Sequence, residues 1–254
     1  FSVQMIKKID IELKKLSAGN NLRTFLTNQK LKEILTDEPP ELYRHHVQIL
    51  QLLVPTYTEV NYRNYLKIRT KKIKTQPEKD LCIEYASVPI LNKIFNYEAM
   101  ISSSKSTSYG LAKKLNRNTC TYCNRLYTTT IIVKDEKTKK FKDKGRISRP
   151  QFDHWYAKSI FPVLSLSYFN LIPSCYVCNS TLKGDIEFSL ADNVHPYIYE
   201  PNNTFEFNYF FKNVDELGVL TKIRGRKLEN NINALKIKEI YDGHSNLELK
   251  DLYD

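Results

Sequence analysis

The chain has 254 residues, of which 41% are hydrophobic, with five cysteines and a formal charge of +11. That is enough apolar material for one large domain or two small ones, and no run of about 18 apolar residues offers a membrane span. The N-terminus is amphipathic (Val3, Met5, Ile6, Ile9, Leu13, Leu16) rather than the unbroken apolar block of a secretory signal, so a cytoplasmic protein is expected. The chain opens at Phe1 and stops at Asp254, as a fragment or the ordered part of a longer protein would. Residues 1–105 and 106–200 each carry six more Lys and Arg than Asp and Glu, whereas 201–254 carry one fewer. A surplus placed this way favours a polyanionic partner, DNA or RNA, although basic surfaces are also common without one.

Residues 1–105 read as mainly helical. Apolar residues recur at helical spacing over 6–16 and again over 31–35. Pro39-Pro40 starts a helix over 42–54 and Pro55 ends it. His45-His46 falls inside that helix and is not expected to bind metal. A basic run follows, Arg63, Lys67, Arg69, Lys71, Lys72 and Lys74, with Tyr62 and Tyr65 among the charges. Such interleaving suits a face that tracks phosphates and stacks bases, and equally suits a solvated helix. Cys82 stands alone and is expected as a small buried apolar residue. The serine-rich stretch 102–108 marks a boundary.

Beyond it the pattern changes. Residues 127–133 (Tyr-Thr-Thr-Thr-Ile-Ile-Val) predict a strand, 134–146 a charged loop with Gly145 as a turn residue, and 147–155 a second strand, together a hairpin. The loop carries Lys134, Lys137, Lys139, Lys140, Lys142, Lys144 and Arg146, a solvated tip with some contact to a nucleic-acid backbone. Residues 179–184 could begin a helix, 205–211 alternate in part like a strand, and 226–241 read as a helix that Gly243 would end. The fold class predicted is α+β. It comprises a helical, basic region at 1–105 for a partner or nucleic acid, a core at 106–200, and a mixed strand and helix segment at 201–254 packing on that core.

Four of the cysteines form two Cys-x-x-Cys pairs, Cys120/Cys123 and Cys175/Cys178. In a cytosolic chain such pairs read as metal ligands rather than disulfides. Zinc takes four tetrahedral thiolates, two from each tight turn, and a site filled this way is closed and structural. The pairs are 51 residues apart, beyond the usual ~15–20, so an insert must be clamped between them.

Within and around that insert lie Asp153-His154, Asn170 and, directly after the last cysteine, Asn179. Phosphodiester cleavage with one hard cation needs a base near neutral pH, which histidine supplies. It also needs oxygen ligands that leave room for substrate. An Asp beside a His meets both needs when the two share a cleft, and Asn179 can complete the cation site.

Three stretches carry a resemblance: Asn118-Thr-Cys-Thr-Tyr-Cys-Asn-Arg125, Phe152-Asp-His-Trp-Tyr-Ala-Lys158, and Tyr168-Phe-Asn-Leu-Ile-Pro-Ser-Cys-Tyr-Val-Cys-Asn-Ser-Thr-Leu-Lys-Gly-Asp185. In this order they closely resemble zinc-knuckle HNH (ββα-metal) endonucleases. The resemblance implies that His154 is the general base and that Asp153 and Asn179 hold Mg²⁺ or Mn²⁺. It further implies that Asn170 fixes the loop that places His154. One departure is Ala157, where the family often has proline shortly after the Asp-His pair. Lys183 and Arg149 are further candidates, for contact with nucleic-acid phosphate, against a plain surface role. Trp155 and Tyr156 read as packing residues; His195 and His244 take no role. Residues 165–174, His195-Pro-Tyr-Ile198 and Ile240-Tyr-Asp-Gly-His244 extend a looser resemblance to HNH subunits of bacterial anti-phage systems of the Septu and retron-associated type. Those subunits pair with an ATPase. The expected activity is therefore a DNA endonuclease of a defence system. The alternative is a zinc-stabilised nucleic-acid-binding or interaction subunit with no cleavage of its own.

Overall fold

The computed structural model describes residues 1–134, 141–213 and 217–244. Lys137, Lys139 and Lys140 of the expected basic loop lie outside the described residues, as do the side chains of Lys134, Lys142, Lys144 and His244. The chain is a mixed α+β protein, 49% helical with small sheets. Its helices are α1 (Ser2–Leu13), α2 (Asn21–Phe25), α3 (Asn28–Thr36), α4 (Pro39–Leu53), α5 (Glu59–Ile68), α6 (Gln76–Glu84), α7 (Ile90–Ile94), α8 (Lys105–Leu115), α9 (Arg226–Ala234) and α10 (Ile237–His244). Among the described residues the strands form three two-stranded sheets: β1 (Ile131–Lys134) with β2 (Phe141–Ser148), β3 (Gln151–His154) with β4 (Leu171–Ser174), and β5 (Thr204–Phe211) with β6 (Leu217–Arg224). None of the helices is long and apolar enough to cross a membrane among the described residues.

Two compact units divide the chain. The first comprises Phe1–Ser108 and Tyr156–Leu171, the second Tyr109–Trp155 and Ile172–Asp254. In the first, three helices each bury one stripe: Met5, Ile9 and Leu13 from α1, Leu31, Ile34 and Leu35 from α3, and Leu42, Ile49 and Leu50 from α4. Local chemistry sets the boundaries. Thr27 and Thr58 cap α3 and α5 through their hydroxyls, and Thr75 and Glu78 close a capping box on α6. The segment Tyr156–Leu171 joins this unit by buried hydrogen bonds. Ser167 Oγ donates to the Ile34 carbonyl at 2.6 Å and Ser165 Oγ to the Phe95 carbonyl at 2.5 Å.

Tyr62 and Tyr65 are not base-stacking platforms. Both are buried, in a stack with Tyr85 whose ring centroids lie 5.1–6.3 Å apart. The sequence interleaves them with cations because the inner face of α5 is aromatic and its outer face charged. Cys82 is half-buried rather than buried.

In the second unit the expected hairpin is rearranged. Pro150 has no N–H and restricts Arg149 before it, so the stretch 147–155 breaks into two strands rather than one. β2 reaches back into the expected charged loop and pairs antiparallel with β1, with irregular register between Ile131 and Lys134. The Asp-His pair sits on the separate strand β3, whose partner is β4. The strand expected at 205–211 is β5; it runs in unbroken antiparallel register with β6, from Thr204 opposite Arg224 to Phe211 opposite Leu217. The helix expected over 226–241 is two helices, because Lys236 adopts a left-handed φ of 49° between α9 and α10. Gly243 lies inside α10 rather than ending it.

Candidate metal centre and the Asp153–His154 strand

Cys120, Cys123, Cys175 and Cys178 are all buried, and their sulfurs lie within 4.8 Å of one another. A tetrahedron with bonds of ~2.3 Å has edges of roughly 3.8 Å, so modest contraction fits the four sulfurs around one ion such as zinc. Two tight turns build this cluster. In the first, the Asn124 N–H bonds the Cys120 carbonyl at 2.8 Å and Asn124 takes a left-handed φ of 50°. A bridge between Thr119 and Tyr127 closes its base. In the second, the Cys178 N–H donates to Cys175 Sγ at 3.4 Å and the Asn179 N–H to the Cys175 carbonyl at 3.0 Å. The Thr121 N–H reaches the Pro173 carbonyl at 3.1 Å, tying the first turn to β4.

Donation from Cys120 pulls Cys123 far toward the thiolate and draws Cys175 down to about 7. Cys120 is pushed up by its hydrogen bonds to Cys123 and Cys175, and Cys178 by those to Cys120, Cys123 and Cys175. Four buried sulfurs cannot all ionise beside each other without a cation, and one divalent ion would resolve the conflict.

The chain then leaves Cys178 in a π-helical turn, Val177–Lys183, in which the Gly184 N–H bonds the Asn179 carbonyl five residues back. The wide turn has a consequence for side chains. Residues five apart in an α-helix point about 140° away from each other; here Cys178 and Lys183, five apart, are both buried. Gly184 ends the turn with a φ of 45°, which suits a residue lacking Cβ.

Lys183 therefore points inward. Its Nζ donates to the His154 carbonyl at 2.9 Å and lies 3.3 Å from Asp153 Oδ2, with the side chains 0% and 4% exposed. The same oxygen accepts from the Tyr122 hydroxyl at 2.5 Å. Tyr122 stands between Cys120 and Cys123, so each half of the cysteine cluster sends one side chain to the same carboxylate. Burial raises the Asp153 carboxyl above its ordinary range, opposed by the charge of Lys183 and by the Tyr122 and Lys183 hydrogen bonds. Burial drives the Tyr122 hydroxyl well above its own, with the Asp153 charge adding to it.

Asn179 is half-buried and its Nδ2 donates to Gln151 Oε1 at 2.8 Å; Ser180 Oγ donates to that same oxygen at 3.0 Å. Gln151 and Asp153 are two apart on β3 and so face the same side of it. His154, 8% exposed, ends the strand. Trp155 follows as a fully buried packing residue, with ring centroids 6.2 Å from Phe188 and 4.5 Å from His195.

In the first unit Asn170 is fully buried and makes three hydrogen bonds. Its Oδ1 accepts from the Tyr156 N–H at 2.7 Å, and its Nδ2 donates to the carbonyls of Tyr156 (3.1 Å) and Leu164 (2.9 Å). It braces the segment that begins two residues after His154. Arg149 donates to the Pro150 carbonyl at 2.7 Å and lies over the Phe152 ring at 5.2 Å.

The sequence points to Asp153, His154 and the cysteines but not to Tyr122, and it suggests a phosphate for Lys183, which lies inside instead. The available signal for Tyr122 is its place inside a Cys-x-x-Cys turn, where a long side chain must leave the cluster. Comparison with known proteins adds no family: no family model, no curated protein and no solved structure matches the chain.

Proposed function

We propose that this chain is a metal-dependent nuclease of the zinc-knuckle HNH kind that hydrolyses phosphodiester bonds of DNA. One observation carries the reading: Tyr122 from the first cysteine pair and Lys183 from the turn after the second converge on Asp153, beside His154. A zinc ion held by Cys120, Cys123, Cys175 and Cys178 would thus set the strand on which the chemistry depends, without taking part in it. His154 is the group suited to take a proton from the attacking water. Asp153 and Asn179 offer the hard oxygens that suit Mg²⁺ or Mn²⁺. The fit is partial. The Asn179 bond to Gln151 uses its nitrogen and leaves its oxygen available, whereas Asp153 Oδ2 already carries Lys183. When bound, such an ion supplies charge neutralisation at the phosphate and the leaving oxygen. Asn170 holds the backbone that follows, and Arg149 lies on the approach to β3 as a candidate phosphate contact. The products would carry 5′-phosphate and 3′-hydroxyl ends, as in the family the motifs resemble. The looser resemblance suggests such a nuclease in the cytoplasm, as the effector of an anti-phage defence system with an ATPase partner.

A second reading rests on the burial of Asp153 and its ion pair with Lys183, an arrangement equally suited to a structural role. The chain would then be a zinc-stabilised nucleic-acid-binding or interaction subunit. Plasmid nicking separates the two. Wild-type protein with Mg²⁺ or Mn²⁺ is expected to cut, and His154→Ala is expected to fall in rate by at least ~100-fold while its zinc content stays unchanged. Cutting by His154→Ala at the wild-type rate would remove His154 as the base. No cutting by the wild type under either metal, with DNA still bound, would select the second reading.

A further inference from the structure

The basic run of the first unit is not absorbed by that site. Arg63 pairs with Glu59 on its own helix and Lys71 with Glu78. Lys67, Arg69, Lys72, Lys74 and Lys79 have no carboxylate partner among the described residues. Three of these, Arg69, Lys74 and Lys79, line a groove of about 500 Å³ whose floor includes Tyr65, Cys82 and Ala86; no acidic residue lines it.

Helix dipoles do not account for all of this charge. Arg69 stands at the C-cap of α5, where a cation is favourable. Lys74 immediately precedes the N-cap of α6 and Lys79 lies in its first turn, where the positive helix end opposes a cation. The one carboxylate there, Glu78, is already shared between the Thr75 N–H and Lys71. Unneutralised cations crowded at a positive helix end are stabilised by an anion with several charges. The buried, mutually stacked Tyr65 leaves no ring free to stack a base, so any contact here is to backbone.

We propose that this α5–α6 groove binds the sugar–phosphate backbone of nucleic acid, independently of base sequence, through Arg69, Lys74 and Lys79. As a grip on the substrate it rests on the nuclease reading for its purpose, but not for its binding. Fluorescence anisotropy on a 20-base-pair labelled duplex, without added divalent metal, measures it apart from cleavage. The charge-reversal variant Arg69→Glu/Lys74→Glu/Lys79→Glu is expected to weaken binding by at least ~30-fold at 100 mM salt. The slope of log affinity against log salt is expected to fall by about 2.7, or ~0.9 for each phosphate no longer neutralised. A variant of equal charge change, Lys7→Glu/Lys32→Glu/Lys105→Glu, is expected to weaken binding by less than ~3-fold. The glutamine triple at the groove serves if reversal disturbs folding by circular dichroism. Equal weakening in both sets, an unchanged slope in the groove variant, or capture by anionic phospholipid vesicles in place of duplex would each overturn the groove. Duplex binding abolished in the groove variant alongside a wild type that never cuts would retire the nuclease reading and keep this one.

Discussion

The ammonium of Lys183 lies 3.3 Å from the carboxylate of Asp153 with both side chains sealed from solvent. Burying two ions costs several kcal/mol each, and the cost is offset only when each charge has its full set of partners. Here Lys183 also bonds the His154 carbonyl and Asp153 also takes the Tyr122 hydroxyl. Lys183→Met should therefore leave an uncompensated carboxylate and destabilise the protein by ~3–5 kcal/mol in urea titrations. Lys183→Met/Asp153→Leu should recover most of that stability. A single variant as stable as the wild type would mean that the pair does not hold β3 against the π-helical turn.

Zinc removal has a built-in reporter, because Trp155 is the chain's single tryptophan and packs in the same unit as the four clustered cysteines. Metal analysis should find one zinc per chain, and Cys178→Ser should lower it. Structural zinc contributes on the order of 10 kcal/mol of apparent free energy to small domains. A strong chelator should accordingly shift the Trp155 emission to the red as that unit opens. Emission unchanged after complete removal of zinc would show that the sulfurs pack well enough without the ion.

Asn170→Ala removes three buried hydrogen bonds at once and leaves the Tyr156 N–H without its acceptor. A buried donor left unpaired costs ~1–3 kcal/mol, so a destabilisation of at least ~2 kcal/mol is expected in equilibrium unfolding. Zinc content should not change, since the four clustered cysteines all lie in the other unit. Zinc release in this variant would contradict the division of labour between the two units.

His46 gives the fold an acid limit. It is fully buried against Phe161 and Tyr62, at ring distances of 4.9 and 5.6 Å, and burial holds its imidazole down to about 3. The unfolded chain takes up a proton below ~6.5, whereas the folded chain does so only near 3, so this contribution is present above pH 6.5 and is lost as pH falls. The slope approaches ~1.4 kcal/mol per pH unit between those limits. Roughly 2–3 kcal/mol should be gone by about pH 4.5. Urea titrations of wild type and His46→Phe at about pH 7 and pH 4.5 measure the difference. An equal pH dependence in both proteins would place the acid sensitivity elsewhere.

Sequence by itself determined the parts that depend on local chemistry. The proline pair starts α4, the apolar spacing sets the inward faces of α1 and α3, and two Cys-x-x-Cys turns suffice to imply one four-sulfur cluster, because each turn fixes its sulfurs within a few residues. Only the tertiary structure decided which strand carries the Asp-His pair. Pairing energy comes from a partner far along the chain, and β4 rather than β1 supplies it. The same holds for Tyr62 and Tyr65, polar enough to read as exposed yet buried by each other and Tyr85. It holds most for Lys183, a lysine beside a glycine that reads as surface. A widened turn and a carboxylate far earlier in the chain turn it into an internal cation, and neither periodicity nor composition records an ion pair made across that distance.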